Sequence, residues 1–397
     1  TLSDGSVGIF SRGKGTETAD RNIVTNTGNV TVGKSLTDAP SVGIYSENTK
    51  LDTDSNVTVG ENGIAFYGKH SEITAKGTAN FQNKGVLAYL ENSKFTSYLG
   101  NLSATQNTMM YLKNSEANLA GSGTKVDMTV ADNYTGAYIE GTSKLTGIKT
   151  VELGKNSTFG LLNGNGNATA SPVLSKFLNA SATTGKIAVT QYGEGASLFY
   201  ATSKANAVLD EDYTIANGNA ASTSVLVADD GATVEIASGK TLTTNTNVGL
   251  IATKGAGLSG AESEAKNSGT IVSTRADKGI GIYANAAKGN NIGTITMNNK
   301  NAVGMLGVLG STLINTKKIS LGGVSSAGMY GEDSDLTNST TTSEINVNKK
   351  ESAGIYAKAT ATATDKTSKN EGKIEIVADG TGKSAGMYSL IESGKLT

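Results

Sequence analysis

The sequence predicts an all-β protein that folds as a parallel β-helix, a solenoid of about fifteen coils with at least 22 residues per coil. Three observations support this: a Gly-Ile-Tyr-like motif recurs along the whole chain, the steps between its copies have a floor of 22 residues, and no segment carries a sustained helical pattern. The composition agrees, since 50 of the 397 residues are Gly, 2 are Pro, and only 5% are aromatic.

The recurring motif is the strongest of these signals. It has six clear copies, among them Gly43-Ile44-Tyr45, Gly281-Ile282-Tyr283 and Gly354-Ile355-Tyr356, and nine weaker copies fill the intervals. Ten of the 14 tyrosines fall at the third position of a copy. The third positions are 10, 45, 67, 89, 111, 138, 162, 200, 227, 251, 283, 306, 330, 356 and 388. A floor of 22 residues with longer exceptions indicates a coil of fixed perimeter that accepts insertions in its turns.

Two further segments complete the predicted coil. Asn-x-Gly followed by an alternating Ile-x-Val stretch, as in residues 26–32 and 291–297, is interpreted as a turn leading into a strand with one buried face. A Ser-x-apolar segment after the tyrosine, as in residues 93–96 and 143–146, predicts another short strand. One short helix is expected, in either 173–178 or 204–209.

Successive side chains of a strand point to opposite faces, and this alternation predicts which positions of the motif point inward. The second position, represented by Ile44, Phe66 and Met110, is apolar in every copy and is placed inward. Gly and Tyr are placed outward, where small neighbours leave the rings open. The tyrosine column then either stabilises the sheet by stacking or binds sugar faces and apolar groups of a partner. Aliphatic residues in the same column favour the structural interpretation: Leu162, Val227, Ile251 and Leu306.

The pattern divides the chain into regular coils over 1–162, an irregular segment or inserted protrusion over 163–223, and regular coils over 224–397. Insertions are expected mostly at one corner, between the tyrosine and the next Asn-x-Gly. The expected corner loops are residues 11–22, 284–291, 331–343 and 357–370. Loops at one edge of a solenoid are frequent binding sites.

Catalytic chemistry finds little support in the sequence. His70 is the only histidine and falls in a predicted turn, and the chain has no cysteine. The acidic clusters at 52–56 and 332–335 are placed in corner loops, and the first lacks the later ligands of a calcium loop. We therefore expect no enzyme activity and assign no catalytic, cofactor-binding or metal-binding residue.

Charge and hydropathy argue against two further classes, nucleic-acid-binding proteins and proteins with membrane-spanning helices. The net charge is −1 and only three residues are Arg, so nucleic acid is not an expected partner. No apolar run approaches the ~20 residues of a membrane-spanning helix. Because the chain begins and ends within repeat-like sequence, it is interpreted as a fragment of a larger protein. The candidate binding residues are Tyr45, Tyr67, Tyr89, Tyr111, Tyr330, Tyr356, Tyr388, Asp210, Asp212, Asp333 and Asp335.

The combination of these repeats resembles a known family. Ser41-Val-Gly-Ile-Tyr-Ser46, Ser352-Ala-Gly-Ile-Tyr-Ala357 and Ser384-Ala-Gly-Met-Tyr388, joined to Asn-x-Gly-x-Ile-x-Val, are similar to the passenger repeats of large fusobacterial type V autotransporter adhesins of the RadD-like group. The resemblance is strongest over 1–60 and 265–397. It implies a right-handed β-helix displayed at the outer membrane of a Gram-negative bacterium and held there by a C-terminal β-barrel that this chain lacks. It also implies coaggregation and attachment to host cells.

Three functions follow from these observations. The first is an adhesin platform whose loops, or tyrosine column, bind a glycan or protein on partner bacteria or host cells. The second is a β-helical carbohydrate-active enzyme, which requires two carboxylates that converge in a cleft. The third is a spacer that holds binding domains elsewhere in the parent protein.

Overall fold

The structure is a computed structural model, and it describes residues 1–15, 21–82, 84–98, 102–104, 109–165, 173–178, 186–255, 260–360, 365–377 and 382–392. The chain forms two compact units. The first unit consists of Thr1–Asn163 and Ser175–Gln191, and the second of Gly164–Leu174 and Tyr192–Thr397. Among the described residues, none of the helical segments has the length and apolar character needed to cross a membrane.

Strands β1 to β20 belong to the first unit. They are β1 Val7–Arg12, β2 Asn22–Asn26, β3 Val30–Val32, β4 Val42–Glu47, β5 Thr49–Thr53, β6 Val57–Val59, β7 Ile64–Lys69, β8 Glu72–Ala75, β9 Ala79–Phe81, β10 Val86–Glu91, β11 Lys94–Ser97, β12 Leu102–Ala104, β13 Met110–Lys113, β14 Glu116–Asn118, β15 Val126–Val130, β16 Thr135–Glu140, β17 Lys144–Thr146, β18 Ile148–Leu153, β19 Thr158–Asn163 and β20 Ala188–Tyr192.

Strands β21 to β42 belong to the second unit. They are β21 Ser197–Thr202, β22 Asn206–Leu209, β23 Tyr213–Ile215, β24 Ser224–Ala228, β25 Thr233–Ile236, β26 Thr241–Thr244, β27 Val248–Thr253, β28 Glu264–Asn267, β29 Thr270–Ser273, β30 Ile280–Asn285, β31 Lys288–Asn291, β32 Thr294–Met297, β33 Val303–Val308, β34 Thr312–Asn315, β35 Lys318–Leu321, β36 Ala327–Glu332, β37 Asp335–Asn338, β38 Glu344–Val347, β39 Ala353–Ala359, β40 Ser368–Asn370, β41 Lys373–Ile376 and β42 Ala385–Ile391.

A complete coil contributes a first, a second and a third strand, which pair in parallel with their equivalents in adjacent coils. In the first unit the third strands form two separate sheets, β3-β6-β9 and β12-β15-β18-β20. In the first unit the first strands run β1-β4-β7-β10-β13-β16-β19, and the second strands run β2-β5-β8-β11-β14-β17. In the second unit the three sheets are β21-β24-β27-β30-β33-β36-β39-β42, β22-β25-β28-β31-β34-β37-β40 and β23-β26-β29-β32-β35-β38-β41. The predicted parallel β-solenoid is therefore confirmed in both units.

The solenoid has about 12 turns rather than fifteen. Not every motif copy is followed by a complete three-strand coil in the described residues, as β19 and β42 show. One copy was also misplaced by one residue. Tyr138 pairs with Leu161, and Leu162 pairs with the buried Ile139, so the copy is Phe159-Gly160-Leu161.

The core is built from columns of equivalent apolar residues. Ile44 pairs with Phe66, and Ala88 pairs with Met110, and all four side chains are fully buried. The preceding position also lies inward, which corrects its predicted outward orientation. A Cβ on Gly43 would lie 2.4 Å from Val57 Cγ1 of the third strand. The side chains at the first and second positions of the motif share this interior space. A large residue at one position is therefore accompanied by a small residue at the other, as in the buried Leu87-Ala88 pair.

Asn-x-Gly does not act as a positive-φ turn at residues 267–269 and 291–293. Instead, the asparagine amides form a column, buried from Asn267 to Asn338 and ending at the exposed Asn370, in which each Nδ2 donates to the next Oδ1. The distances from Asn267 through Asn291, Asn315 and Asn338 to Asn370 are 2.8, 2.7, 2.7 and 2.7 Å. Gly293 is required by close packing between coils, since a Cβ there would lie 2.0 Å from the Gly269 carbonyl oxygen.

The prediction that insertions lie mostly at one corner is wrong. Residues 284–291 and 331–343 contain second strands β31 and β37, reached through two-residue turns. Residues 11–22 and 357–370 do contain long connections after a first strand, in part outside the described residues. Other long connections follow third strands, over 33–41, 216–223 and 377–384. Motif spacing gives the total length of a coil, but it does not show which turn carries the extra residues.

Segment 163–223 falls partly outside the described residues. Where it is described, it contains a 3₁₀ helix, Leu174–Lys176, and strands β20 to β23. The helix lies in the first of the two segments where a short helix was expected. The second segment, residues 204–209, instead contains strand β22.

Candidate functional site

The tyrosine column of the first unit points outward from the sheet of first strands. Exact coil-to-coil register places each ring on the next, with centroid separations between 4.7 and 5.5 Å. Three of these pairs are within 11° of parallel, those of Phe10–Tyr45, Tyr45–Tyr67 and Tyr67–Tyr89. The column is Phe10, Tyr45, Tyr67, Tyr89, Tyr111 and Tyr138.

Stacking changes what these rings can bind. The expectation that small neighbours leave the rings open is wrong, because each ring face within the stack is covered by the adjacent ring. The outward surface consists of ring edges and hydroxyl groups, repeated at the ~4.8 Å spacing of parallel strands. A sugar ring can therefore meet a row of hydrogen-bonding hydroxyls along the column, but not the aromatic faces inside it.

The second unit has a shorter stack of the same kind. Tyr330, Tyr356 and Tyr388 stack with centroid separations of 4.9 and 5.0 Å. Leu306 pairs with Tyr330 and precedes this stack. The earlier positions of the column are Tyr200, Val227, Ile251 and Tyr283. The Tyr200 hydroxyl donates to the Asp229 carboxylate.

A charged column lies two residues beyond the tyrosines, on the same outward face. In the first unit its signs alternate from coil to coil, and Glu47 is paired with both Arg12 at 3.2 Å and Lys69 at 3.5 Å. Alternation of opposite charges stabilises the in-register pairing of neighbouring strands. The column is Arg12, Glu47, Lys69, Glu91, Lys113 and Glu140.

Burial raises the pKa of tyrosines in both stacks. Desolvation is the largest cause for Tyr67, whose pKa rises to about 12, and the Glu91 carboxylate adds to it. The pKa values of Tyr45, Tyr89 and Tyr330 rise for the same first reason, with Glu47, Glu91 and Glu332 as the respective next causes. The hydroxyls of these tyrosines are protonated near neutral pH, and those of Tyr45 and Tyr330 hydrogen-bond the Glu47 and Glu332 carboxylates respectively.

We expect alkaline pH to weaken the first unit as this stack ionises. The folded pKa of Tyr67 is raised from 10.0 to about 12. Its stabilising contribution is therefore complete below pH 10 and is lost as the pH rises through about 12. Phenolate absorbance and circular dichroism, followed together, should show late tyrosine ionisation that accompanies loss of structure. Ionisation of every tyrosine near pH 10 in the folded protein would contradict this expectation.

A groove runs beside the tyrosine stack of the second unit and has a volume of about 690 Å³. Its floor consists of small residues at the start of the first strands, Ala327, Ala353 and Ala385, and one wall consists of the tyrosines. The opposite wall consists of the exposed turn residues Ser325, Glu351 and Lys383. In the first unit, the column equivalent to the floor contains the bulkier residues Val42, Ile64 and Val86.

Sequence reasoning had found one wall of this groove but missed its floor and its other wall. A signal for the floor was present, since Ser-Ala-Gly precedes the aromatic motif at 326–328, 352–354 and 384–386. The alanine in this signal stands where other copies have valine or isoleucine, as at Val42 and Ile64, or threonine or serine, as at Thr135 and Ser197. This alanine can be recognised as part of a groove only when it is known to lie beside the tyrosine ring of the same strand.

Three of the four candidate aspartates, Asp212, Asp333 and Asp335, accept hydrogen bonds from backbone N–H groups of neighbouring coils. Asp333, in a positive-φ turn with φ of 51°, accepts the N–H of Thr360 at 2.7 Å, and also its hydroxyl. Asp335 is the first residue of β37, accepts the N–H of Thr367 at 2.9 Å and pairs with Lys366. Asp212 lies beside Asp210 in the turn between β22 and β23 and accepts the Thr241 N–H at 2.7 Å. These contacts anchor connections, and the structure does not bring the aspartates to the tyrosine groove.

A second cavity, of about 660 Å³, lies in the first unit beside strands β15 and β18. Asp132 and Glu152 both line it, as do Lys84, Tyr134 and Gln191. Asp132 accepts the backbone N–H of Lys155 at 2.7 Å, and Glu152 accepts the hydroxyl of Thr129 at 3.3 Å. Both carboxylates thus take part in contacts between neighbouring coils.

The remaining polar candidates lie in turns or strands. His70 has a φ of 49° in the turn between β7 and β8, as its predicted turn position required. Asp52 lies in strand β5 rather than in a loop, and its carboxylate binds Lys76 Nζ at 2.8 Å. Within the part of the chain that the structure describes, no group of three or more His, Cys, Asp and Glu side chains is placed to hold a metal ion.

Comparison with protein-family models, curated proteins and solved structures gives no match to this chain.

Proposed function

We propose that this chain is a non-catalytic attachment module, a β-solenoid platform displayed at the surface of a Gram-negative bacterium that binds a partner cell. The observation that carries this proposal is the outward face of the first-strand sheet, where stacked tyrosines border a groove of about 690 Å³. Surface display and the adhesin class rest on the resemblance of the repeats to autotransporter passengers.

The physical argument is one of repetition. A solenoid repeats the same side chains in a line at fixed spacing, so contacts that are weak singly can act together on one extended ligand or on many copies of a receptor. The tyrosine rings lose little conformational entropy on binding, because stacking already fixes them. A surface of this kind suits reversible attachment, which requires no chemical step.

The test is a competition experiment with the purified chain. Beads coated with the chain should bind partner bacteria or host cells, and the soluble chain should inhibit adhesion of bacteria that carry the parent protein. A double variant that fills the groove, Ala327→Val with Ala353→Val, should inhibit less at equal concentration. If the unaltered chain neither binds cells nor inhibits adhesion, the attachment function is wrong and the spacer function gains support.

The second cavity supports a second candidate, a carbohydrate-active enzyme that would use Asp132 and Glu152. Hydrolysis of a glycosidic bond requires one carboxyl group as acid and another as base or nucleophile. Asp132→Asn and Glu152→Gln should then each abolish release of reducing sugar from a polysaccharide panel. No release by the unaltered chain across that panel would exclude this candidate and leave attachment.

A further inference from the structure

We infer that the groove beside Tyr330, Tyr356 and Tyr388 binds a linear, uncharged polysaccharide that lies along the column with one sugar ring per coil. The inference rests on the proposed attachment function and names its ligand class. Three features of the groove carry it: its periodicity, its balance of charge, and the hydrogen-bonded backbone N–H groups of its floor.

The periodicity favours a polymer with a short, regular repeat. Equivalent residues line the groove in successive coils, since Val303, Ala327, Ala353 and Ala385 pair in register. Parallel strands place these coils ~4.8 Å apart, close to the length of one pyranose unit in an extended chain. Three of these coils offer a tyrosine edge, a hydroxyl and an alanine methyl, whereas the fourth carries Val303 and Leu306 at the equivalent positions. Three successive sugar rings therefore meet nearly the same surroundings.

The charges favour a neutral ligand. The groove's charged side chains are one Glu351 and one Lys383, which together contribute no net charge. Beyond the tyrosines, Lys358 lies 3.7 Å from Glu332 and 3.4 Å from Glu392, so this cation is already compensated. A polyanion such as an acidic polysaccharide would need a row of cations that these residues do not provide.

The backbone N–H groups of the groove floor already form hydrogen bonds within the solenoid. The N–H groups of Ala327, Ala353 and Ala385 donate to carbonyls of the preceding coils at 2.8, 2.9 and 3.0 Å. A peptide that adds to a sheet requires open backbone groups at its edge. The groove instead offers side-chain hydroxyls beside methyl groups, which matches the hydroxyl groups and C–H faces of a sugar ring.

The sugar rings would lie against the alanine methyls and the tyrosine edges, because the faces between stacked rings are covered. Tyr330 has a raised pKa, caused first by burial, and stays protonated. Its hydroxyl also hydrogen-bonds the Glu332 carboxylate, so the hydroxyl oxygen is left to accept hydrogen bonds from sugar hydroxyls. A groove of about 690 Å³ that extends over these coils has room for a segment of three or four sugar rings.

The test uses the whole chain and an array of neutral linear oligosaccharides of hexoses and N-acetylhexosamines, two to eight rings long, with oligogalacturonates as charged controls. We expect binding of at least one neutral series, with affinity that rises with length up to about four rings and then levels off, as the groove's length dictates. Binding that is restricted to charged glycans, or that does not depend on length, would overturn the inference.

Two variants and one matched control locate the site. Ala353→Val fills the floor with the residue type that Val303 places in the same column, and should lower affinity at least tenfold. Tyr356→Phe retains the stack, removes one hydroxyl, and should lower affinity about five- to tenfold. Tyr98→Phe makes the same change at an exposed tyrosine outside the column and should leave affinity unchanged. Thermal unfolding of each variant verifies that the fold is retained.

The outcomes separate this inference from the function on which it rests. If the chain binds cells but neither groove variant weakens that binding, the attachment function stands and the groove is not its site. If the chain binds cells through a protease-sensitive receptor and no neutral glycan, the ligand class is wrong. If the chain binds neither cells nor glycans, both proposals are wrong.

Discussion

Replacing Phe66 by alanine is expected to lower the free energy of unfolding by about 3–5 kcal/mol, the largest effect anticipated for a single substitution in the first unit. The Phe66 side chain is 1% exposed and packs against Phe95, with ring centroids 5.4 Å apart. Its column neighbours are Ile44 and Ala88, and the small alanine cannot fill the space that the ring would leave. Denaturant unfolding followed by circular dichroism measures the change.

Phe10→Ala is the matched control for that prediction. Phe10 belongs to the same sheet but points outward, is 60% exposed, and stacks only on Tyr45. Its loss should cost about 1 kcal/mol or less, the scale of one aromatic cross-strand pair. Equal losses at Phe66 and Phe10 would show that the inward and outward assignments of this strand are wrong.

Asn315→Ala is expected to destabilise the second unit by about 2–3 kcal/mol, although the side chain is small and polar. The Asn315 amide is fully buried, accepts from Asn291 at 2.7 Å and donates to Asn338 at 2.7 Å. Alanine would leave the Asn338 oxygen without its donor and would remove one of the two acceptors of the Asn291 amide. A buried polar group that loses its partner pays its full desolvation cost.

The measurement compares the melting temperature of Asn315→Ala with that of Asn298→Ala, which alters an exposed asparagine in a turn of the same unit. Only the buried variant should melt at clearly lower temperature. Asn315→Ser is a second probe, because a hydroxyl is too short to bridge both neighbours and should restore little stability. Similar melting temperatures for the three variants would mean that the asparagine column contributes little.

These two stability predictions bear on the binding surface because the groove depends on register. The tyrosine edges and alanine methyls form a line only while each coil pairs residue for residue with the next. The core columns and the asparagine column fix that pairing from inside, and on the outer face the Glu332–Lys358 ion pair joins the neighbouring strands β36 and β39. A variant that disturbs the register should therefore weaken glycan binding without altering any residue of the groove.

Much of the architecture was predictable because each coil is a local unit. A coil closes within about 22 residues and contacts mainly its neighbours, so the period that sets the fold is visible directly in the spacing of Tyr45, Tyr67, Tyr89 and Tyr111. The inward position of Ile44 and its equivalents also followed from sequence, since only apolar residues occur in that column. Both predictions needed nothing beyond periodicity and hydrophobic burial.

The remaining features depend on atoms brought together across coils. The inward position of Gly43, the bridging role of Asn291 and the one-residue shift to Leu161 depend on close approaches between strands, which spacing does not encode. The same holds for the groove, whose floor at Ala353 has meaning only beside Tyr356. By itself the sequence determined the solenoid and the tyrosine column, because both repeat along the chain. Only the tertiary structure decided which ring surfaces remain open, because stacking between coils covers the faces and leaves edges, hydroxyls and one groove.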